Sequence, residues 1–180
     1  TDHGRTPLSM ACLEGHTDCV QLLSSYGASR TFGSAAGVTA EGVSQDRGHN
    51  ELTAWLYLSR GWTPLHHIEV LTPERTRMLL RCGADLHTRP AESAAPKSPV
   101  ERALAMEEPR SAAAELLLRA AERWSPHTHD LFPAAARARA VELLWLGHQL
   151  GVQPRFAGVG QALVHAWVEY VIAHGVSRAA

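Results

Sequence analysis

Residues 2–31 decide the fold of this chain: DHGRTPLSMACLEGHTDCVQLLSSYGASRT. The pattern returns in GVTAEGVSQDRGHNELTAWLYLSRG from Gly37, where Thr39 stands 33 positions after Thr6. A third copy begins at Gly61 (GWTPLHHIEVLTPERTRMLLRCGADLH), and a weaker fourth begins at Lys97 (KSPVERALAMEEPRSAAAELLLRAA). A period of this length indicates a repeat architecture, in which each unit buries its apolar face against its neighbours.

The copies carry the sequence signals of helix ends. A capping hydroxyl stands before a proline at the first helical position, where the missing amide costs nothing, in Thr6-Pro7, Thr63-Pro64, Thr72-Pro73 and Ser98-Pro99. Gly27 and Gly83 supply the left-handed residue that ends a helix. Between these signals we expect an inter-repeat core formed by Val20, Leu22, Leu23, Leu52, Trp55, Leu56, Met78, Leu79 and Leu80.

These motifs resemble the ankyrin repeat, above all Thr-Pro-Leu-His at 63–66 with Gly-Ala-Asp at 83–85. The resemblance implies an all-α fold, an ankyrin-repeat α-solenoid capped by C-terminal helices. We expect an array over residues 1–121, with copies at about 1–33, 34–60, 61–89 and 97–121, and a helical cap or tail over 122–180. Because the chain opens inside a repeat without a methionine, we expect further repeats before it.

Three departures from the repeat pattern are visible. The hairpin between the second and third copies is about 9 residues short, which predicts a tight loop before Thr63. The first helix of the third copy is one residue short. Residues 86–98 form a stretch rich in proline, alanine and serine that we expect to be an exposed loop.

The tail differs in kind from the repeats. A helix is predicted after Phe132-Pro133, with one stripe formed by Ala134, Ala138, Val141, Leu144, Trp145 and His148. The last segment, QALVHAWVEYVIAH, is apolar almost all round and too short to span a membrane, so it is either buried or in contact with a partner. If the segment is buried, we expect the tail to cover the apolar end of the last repeat.

Composition excludes several classes of function. The 180 residues include 17 Lys+Arg against 18 Asp+Glu, for a formal net charge of -1. That balance argues against a nucleic-acid scaffold or a polybasic membrane binder. Three cysteines without a CxxC pair read as free thiols in a reducing compartment. We therefore expect an intracellular protein, in the cytoplasm or the nucleus.

Catalysis is not expected, and neither a cofactor nor a small-molecule substrate is implied. His127 and His129 lie two residues apart in a predicted turn with no third ligand at a useful spacing, so a zinc hydrolase is a remote alternative. No nucleophile elbow or glycine-rich phosphate loop is present. Cys12 and Cys19 stand at core positions of the repeat, where cysteine packs as a small hydrophobe.

The remaining function is binding of another protein. The resemblance places partner contacts at hairpin tips and inner helices, which here are Asp2, His3, Arg5, Leu13, Glu14, Asp46, Arg47, Trp62 and Val70. Trp62 is the strongest candidate because tryptophan anchors are enriched among interface hot spots. Alternatively, the shortened hairpin folds Trp62 back onto Tyr57 or the second helix of copy two, as local core. A second alternative makes the tail a docking element of a ubiquitin-ligase substrate adaptor.

Overall fold

The computed structural model describes residues 6–30, 39–91 and 96–178. Within these ranges the chain forms helices and turns with no strand, so the predicted all-α class is confirmed. The residues Asp2, His3 and Arg5 lie outside the described ranges. The chain divides into two compact units. One holds the described residues up to Thr72 together with Leu86–Ala114, and the other holds Pro73–Asp85 and the described residues from Glu115 onward. The expected boundary after residue 121 stays a prediction.

The first unit is built from short helices. They are α1 (Pro7–Leu13), α2 (Thr17–Ser25), α3 (Ala40–Asp46), α4 (Asn50–Leu58), a single 3₁₀ turn (Pro64–His66) and α6 (Pro99–Leu104). The neighbouring pairs in contact include α1 with α2, α1 with α3, and α3 with α4. Two helices per copy and contact between equivalent helices of successive copies are what the repeat pattern predicts.

The second unit contains α5 (Pro73–Arg81), most of α7 (Ala112–Ala121), α8 (Ala134–Gly151) and α9 (Gly160–Ala166). After α9 the chain continues through a π-helical stretch, Trp167–Ile172, into a last turn, Ala173–Gly175. Backbone meets backbone between α8 and α9, because a Cβ built on Gly160 would lie 2.1 Å from the Gly151 carbonyl oxygen. A side chain at either glycine would force the two helices apart.

Two of the predicted helix starts, at Thr6 and Ser98, form as capping boxes. The Thr6 hydroxyl accepts from the Ser9 amide at 3.1 Å while Ser9 Oγ accepts from the Thr6 amide at 2.9 Å. Ser98 and Glu101 repeat the arrangement, with the Glu101 carboxylate accepting from the Ser98 amide at 2.8 Å. Two orphan donors are satisfied at each start. Gly27 and Gly83 follow α2 and α5 at φ of 83° and 81°, as predicted.

The core of the first unit is partly the predicted one. Val20, Leu52 and Leu56 are buried among Leu8, Ala11, Cys12 and Ala40, with Leu23 and Trp55 against them. Leu22, in contrast, is exposed, so its assignment to the core was wrong. Val20 marks the buried face of α2. Leu22 follows it by two residues and therefore lies about 200° further around the helix axis, away from the core.

The two cysteines of this unit behave differently. Cys12 is fully buried, and burial raises the pKa of its thiol to about 11, so the thiol stays protonated at neutral pH. Cys19 is exposed, so its assignment to the core was wrong. It precedes Val20 by one residue and therefore lies about 100° away from the buried face of α2.

The third copy is shortened as predicted, and further. Five residues, 59–63, join α4 to the 3₁₀ turn, which confirms a tight loop. The first helix is reduced to Pro64–His66, where we expected the loss of one residue. Leu65, Ile68 and Leu71 are nevertheless buried, so the segment keeps its apolar face without the helix. The loop that follows is not wholly exposed, because Leu86, Pro90 and Ser98 are buried.

The core of the second unit also differs from the predicted one. In α5 the buried residues are Thr76 and Leu80, while Leu79 is half-buried and Met78 is exposed. In α8 the buried residues are Ala136, Ala140 and Gly147. Leu143 and Leu144 pack against the core of the tail, which contains Trp124, Phe132, Ala136, Ala140, Ile172 and Val176. Of the predicted α8 stripe, only Leu144 faces that core, and the other members are exposed.

Candidate functional site

A groove in the first unit contains two of the predicted binding residues. Its volume is about 270 Å³, and it is lined by Gln21, Trp55, Trp62, His67, Glu69, Val70 and Arg102. These side chains come from α2, α4, the shortened third copy and α6. The compression of the third copy therefore brings three helices and one loop together around Trp62.

Trp62 is held by rings on two sides. Its indole stacks on the His66 ring at 5.9 Å with an interplanar angle of 19°, and it meets Trp55 edge-on at 6.2 Å. His67 lies 5.2 Å away at 62°. Such pairs add about 0.5–1.5 kcal/mol each beyond the apolar area they bury. Trp62 remains half-buried, so part of the indole is left for contact with another molecule.

Arg102 covers the other side of Trp62. Its guanidinium carbon lies 4.0 Å from the centre of the indole ring, within cation–π distance. The same guanidinium donates to the His66 carbonyl oxygen at 2.9 Å and forms an ion pair with Glu69. Arg102 thus ties α6 to the third copy while it fixes the orientation of the tryptophan.

Arg30 contacts both Trp55 and His67 of the cluster. It donates to the Ser59 carbonyl oxygen at 2.7 Å and lies 4.7 Å from the Trp55 ring centre. Its Nη2 lies 3.3 Å from His67 Nε2. Because an arginine can only donate, that nitrogen of His67 must accept and carry no proton. Burial, with Arg30 close by, lowers the pKa of His67 to about 3, and burial lowers the pKa of Arg30 to about 10.

Four further predicted binding residues within the described ranges lie elsewhere in the first unit. Leu13 and Glu14 stand at the C-terminal end of α1, and Asp46 and Arg47 stand at the C-terminal end of α3. Glu14, Asp46 and Arg47 are exposed and Leu13 is half-buried. His49 reaches the Leu13 carbonyl oxygen at 3.1 Å, which connects the two repeats at this edge. Of the predicted binding residues that the structure describes, only Trp62 and Val70 line the groove.

Sequence reasoning missed most of the groove. Trp55 and His66 had been explained by core and consensus positions, and Arg30, His67, Glu69 and Arg102 were not singled out. The signal that could have found the aromatic part of the groove, but not its arginines, is the adjacent His66-His67 pair with a tryptophan on either side of the shortened hairpin. The hairpin predicts that Trp55 and Trp62 approach one another.

In the tail, His129 contacts the buried Trp124. His129 Nδ1 accepts from the Trp124 indole at 3.2 Å, and the two rings meet edge-on at 5.8 Å. Among residues 6–30, 39–91 and 96–178, no three histidine, cysteine or acidic side chains are placed to hold a metal ion. His129 therefore has a structural role in ordering the turn around Trp124.

Comparison with known proteins adds one match. No helix in the described part of the chain has the length and apolarity needed to cross a bilayer. No curated protein and no solved structure matches the chain. Residues 3–32, which contain Thr6-Pro7-Leu8, Gly15-His16 and Gly27-Ala28, match the ankyrin-repeat family model, and this match confirms the resemblance to the ankyrin repeat. The chain thus carries an ankyrin repeat at residues 3–32, a type of module that mediates protein–protein interaction.

Proposed function

We propose that this chain is a non-catalytic scaffold or adaptor that binds another protein through the groove around Trp62. The observation that carries the proposal is the half-buried indole of Trp62, fixed between His66 and Arg102 at the edge of an open groove. Hot spots at protein interfaces are enriched in tryptophan and arginine, and this groove presents both.

The cluster is suited to binding because it is already ordered. Arg102 is held by the His66 carbonyl oxygen and Glu69, and Trp62 cannot rotate without losing its ring contacts. Immobilising a free side chain at an interface costs about 0.5–1.5 kcal/mol. A partner that seats against Trp62 and Val70 avoids that cost, so the two alternatives foreseen for Trp62, anchor and local core, are compatible.

The contact surface in this proposal extends to the other predicted positions. Exposed Glu14, Asp46 and Arg47 offer charges at the ends of α1 and α3. Rim charges of this kind change association rate and specificity more than affinity. The residues Asp2, His3 and Arg5 stay part of the proposal on the strength of the resemblance alone.

The experiment compares partner recovery by four forms of the chain in affinity purification from its native cell. The forms are the unchanged protein, Trp62→Ala, Val70→Asp and the control Tyr57→Ala, whose ring is 55% exposed and does not line the groove. Truncating an interface tryptophan typically costs about 2 kcal/mol, or roughly thirtyfold in affinity.

We expect both groove variants to lose the same partner while Tyr57→Ala retains it. Chemical unfolding of each variant shows whether the fold is kept under the conditions of capture. If Val70→Asp and Trp62→Ala stay folded and recover partners at the level of the control, the groove is not the binding surface.

A further inference from the structure

Helix α8 exposes an apolar seam with the spacing of a helix–helix interface. Ala134, Ala138, Val141, Trp145, His148 and Val152 follow one another at alternating intervals of four and three residues. All six are exposed, with Val141 at 57%, Trp145 at 61% and Val152 at 61%. This is the a/d pattern of a coiled-coil seam, in which apolar residues repeat every 3.5 residues on average.

The N-terminal part of this seam is exposed, whereas at its C-terminal end His148 and Val152 border a cavity of about 1080 Å³ that is also lined by Val164 and Tyr170. The unit packs against the opposite face of α8, through Ala136, Ala140, Leu143 and Gly147. A Cβ on Gly147 would lie 2.5 Å from Trp167, so the contact on that side is already tight. The helix is therefore packed on one face and carries a second, regular apolar face in solvent.

The distribution of side-chain size along the seam distinguishes the two orientations in which a second copy could pack. Ala134 and Ala138 are small and stand in the N-terminal half, while Trp145, His148 and Val152 are larger and stand in the C-terminal half. A parallel copy would set alanine against alanine at one end and tryptophan against tryptophan further along. The distance between helix axes depends on the side chains at the contact, so that arrangement leaves a gap at one end and crowding at the other.

An antiparallel copy removes this mismatch. With the twofold axis level with Leu143, Trp145 meets Val141 of the second copy, His148 meets Ala138, and Val152 meets Ala134. Each layer then pairs a larger side chain with a smaller one, and every a position meets a d position. We propose that α8 forms an antiparallel pair with α8 of a second copy of this chain, and that this face is a homodimer interface distinct from the Trp62 groove.

Charges at the edges of the seam agree with that orientation. Arg137 lies in the first turns of α8, near the positive end of its own helix dipole. In the antiparallel pair it lies near the C-terminal carbonyls of the second helix, where a cation is favourable. Glu142 flanks the axis, and Arg139 lies 3.9 Å from it on the same helix, which offsets the approach of two carboxylates.

The size of the seam sets the strength of the association. At 1.5 Å per residue, the 18 residues of α8 are about 27 Å long, and one helix face of that length is smaller than the ~800 Å² per partner of a standard interface. We therefore expect a weak dimer that forms as the protein concentration rises.

The first test is sedimentation equilibrium of the 180-residue chain between about 10 μM and about 1 mM, the range of weak association. The average mass should rise from 19.5 kDa towards twice that value. Trp145→Glu should weaken the association about tenfold or more, because it places a charge in the central layers. The control Val159→Glu, at a residue 57% exposed in the same unit that lies neither on the seam nor in the cavity beside it, should behave like the unchanged protein.

The second test fixes orientation by disulfide cross-linking in a Cys19→Ser, Cys82→Ser background, which removes the exposed thiols. A mixture of Ala134→Cys and Val152→Cys chains should cross-link with each other, and neither should cross-link with itself. A chain that stays monomeric to about 1 mM, or that dimerises equally well with Trp145→Glu, overturns the interface. Cross-links within each single variant overturn the antiparallel pairing.

Discussion

Stability of the Trp62 cluster should depend on the protonation of His67. The ring is 2% exposed, lies 3.3 Å from the Arg30 guanidinium and is covered by Trp55 and Trp62. A protonated ring would be a second cation against Arg30, with Arg102 and His66 also nearby. Burial above all, and then the nearby Arg30, lower the pKa of His67 from 6.5 to about 3 on folding.

The size of the effect follows from linkage. Below pH 6.5 the unfolded chain binds a proton at this histidine and the folded chain does not, so acid favours unfolding. The stability that the protein gains from burying neutral His67 is fully present above pH 6.5 and is lost as the pH falls towards 3. Between pH 7 and pH 5 the loss amounts to about 2 kcal/mol, at 1.36 kcal/mol per pH unit once the unfolded chain is protonated.

The assay is urea unfolding of the unchanged protein and His67→Gln at pH 7 and pH 5, followed by circular dichroism. Glutamine keeps a hydrogen-bonding side chain but does not titrate, so the other histidines and the carboxylates cancel in the difference between the two proteins. The stability advantage of the unchanged protein should be about 2 kcal/mol smaller at pH 5 than at pH 7. An advantage constant within about 0.5 kcal/mol would refute the burial of a neutral His67.

Five further variants test the packing and one helix cap. Leu80→Ala, at a fully buried residue of α5, should destabilise the chain by about 2–5 kcal/mol, and half-buried Leu79→Ala should cost less, as read from chemical unfolding. Ser98→Ala removes the hydroxyl that caps α6 and should cost about 1 kcal/mol, whereas Ser98→Asp, which retains a capping oxygen, should restore most of it. Trp62→Ala should cost about 2 kcal/mol or more because it removes ring contacts with His66 and Trp55, and a melting temperature unchanged from that of the parent would show that the stack adds nothing.

Local signals in the sequence predicted the helix starts well. The hydroxyl of Thr6 or Ser98 and the proline after it act within one helical turn, so their effect needs no knowledge of the rest of the chain. Gly27 and Gly83 are of the same kind. The consensus also identified Val20 and Leu56 as core, and both lie in the buried cluster that the first two copies share.

What the sequence did not predict depends on contacts between distant residues. The consensus placed Leu22 and Met78 in the core by their slots, but each stands two residues from a buried Val20 or Leu80 and so faces away from it. The Trp62 groove requires Arg30 and Arg102 to approach the third copy from 37 and 36 residues away. No local pattern encodes that approach.

The lost helix of the third copy changes how the repeats share their stability. A 3₁₀ turn rises about 2.0 Å per residue against 1.5 Å for an α-helix, so fewer residues span the same distance, with fewer internal hydrogen bonds. The His66 carbonyl oxygen accepts from Arg102, at 2.9 Å, and the Ile68 carbonyl oxygen accepts from Ser111, at 3.4 Å. The third copy therefore has fewer hydrogen bonds within its own first helix, and its carbonyl groups accept hydrogen bonds from the segment that follows it.

In a linear array, stability is a sum of intrinsic and nearest-neighbour contributions, and their ratio sets the cooperativity of unfolding. In the third copy, the loss of the helix lowers the intrinsic contribution, and the hydrogen bonds to the following segment raise the nearest-neighbour contribution. Residues 64–71 and the segment that contains Arg102 and Ser111, which belong to the same compact unit, should therefore unfold together, as a single step.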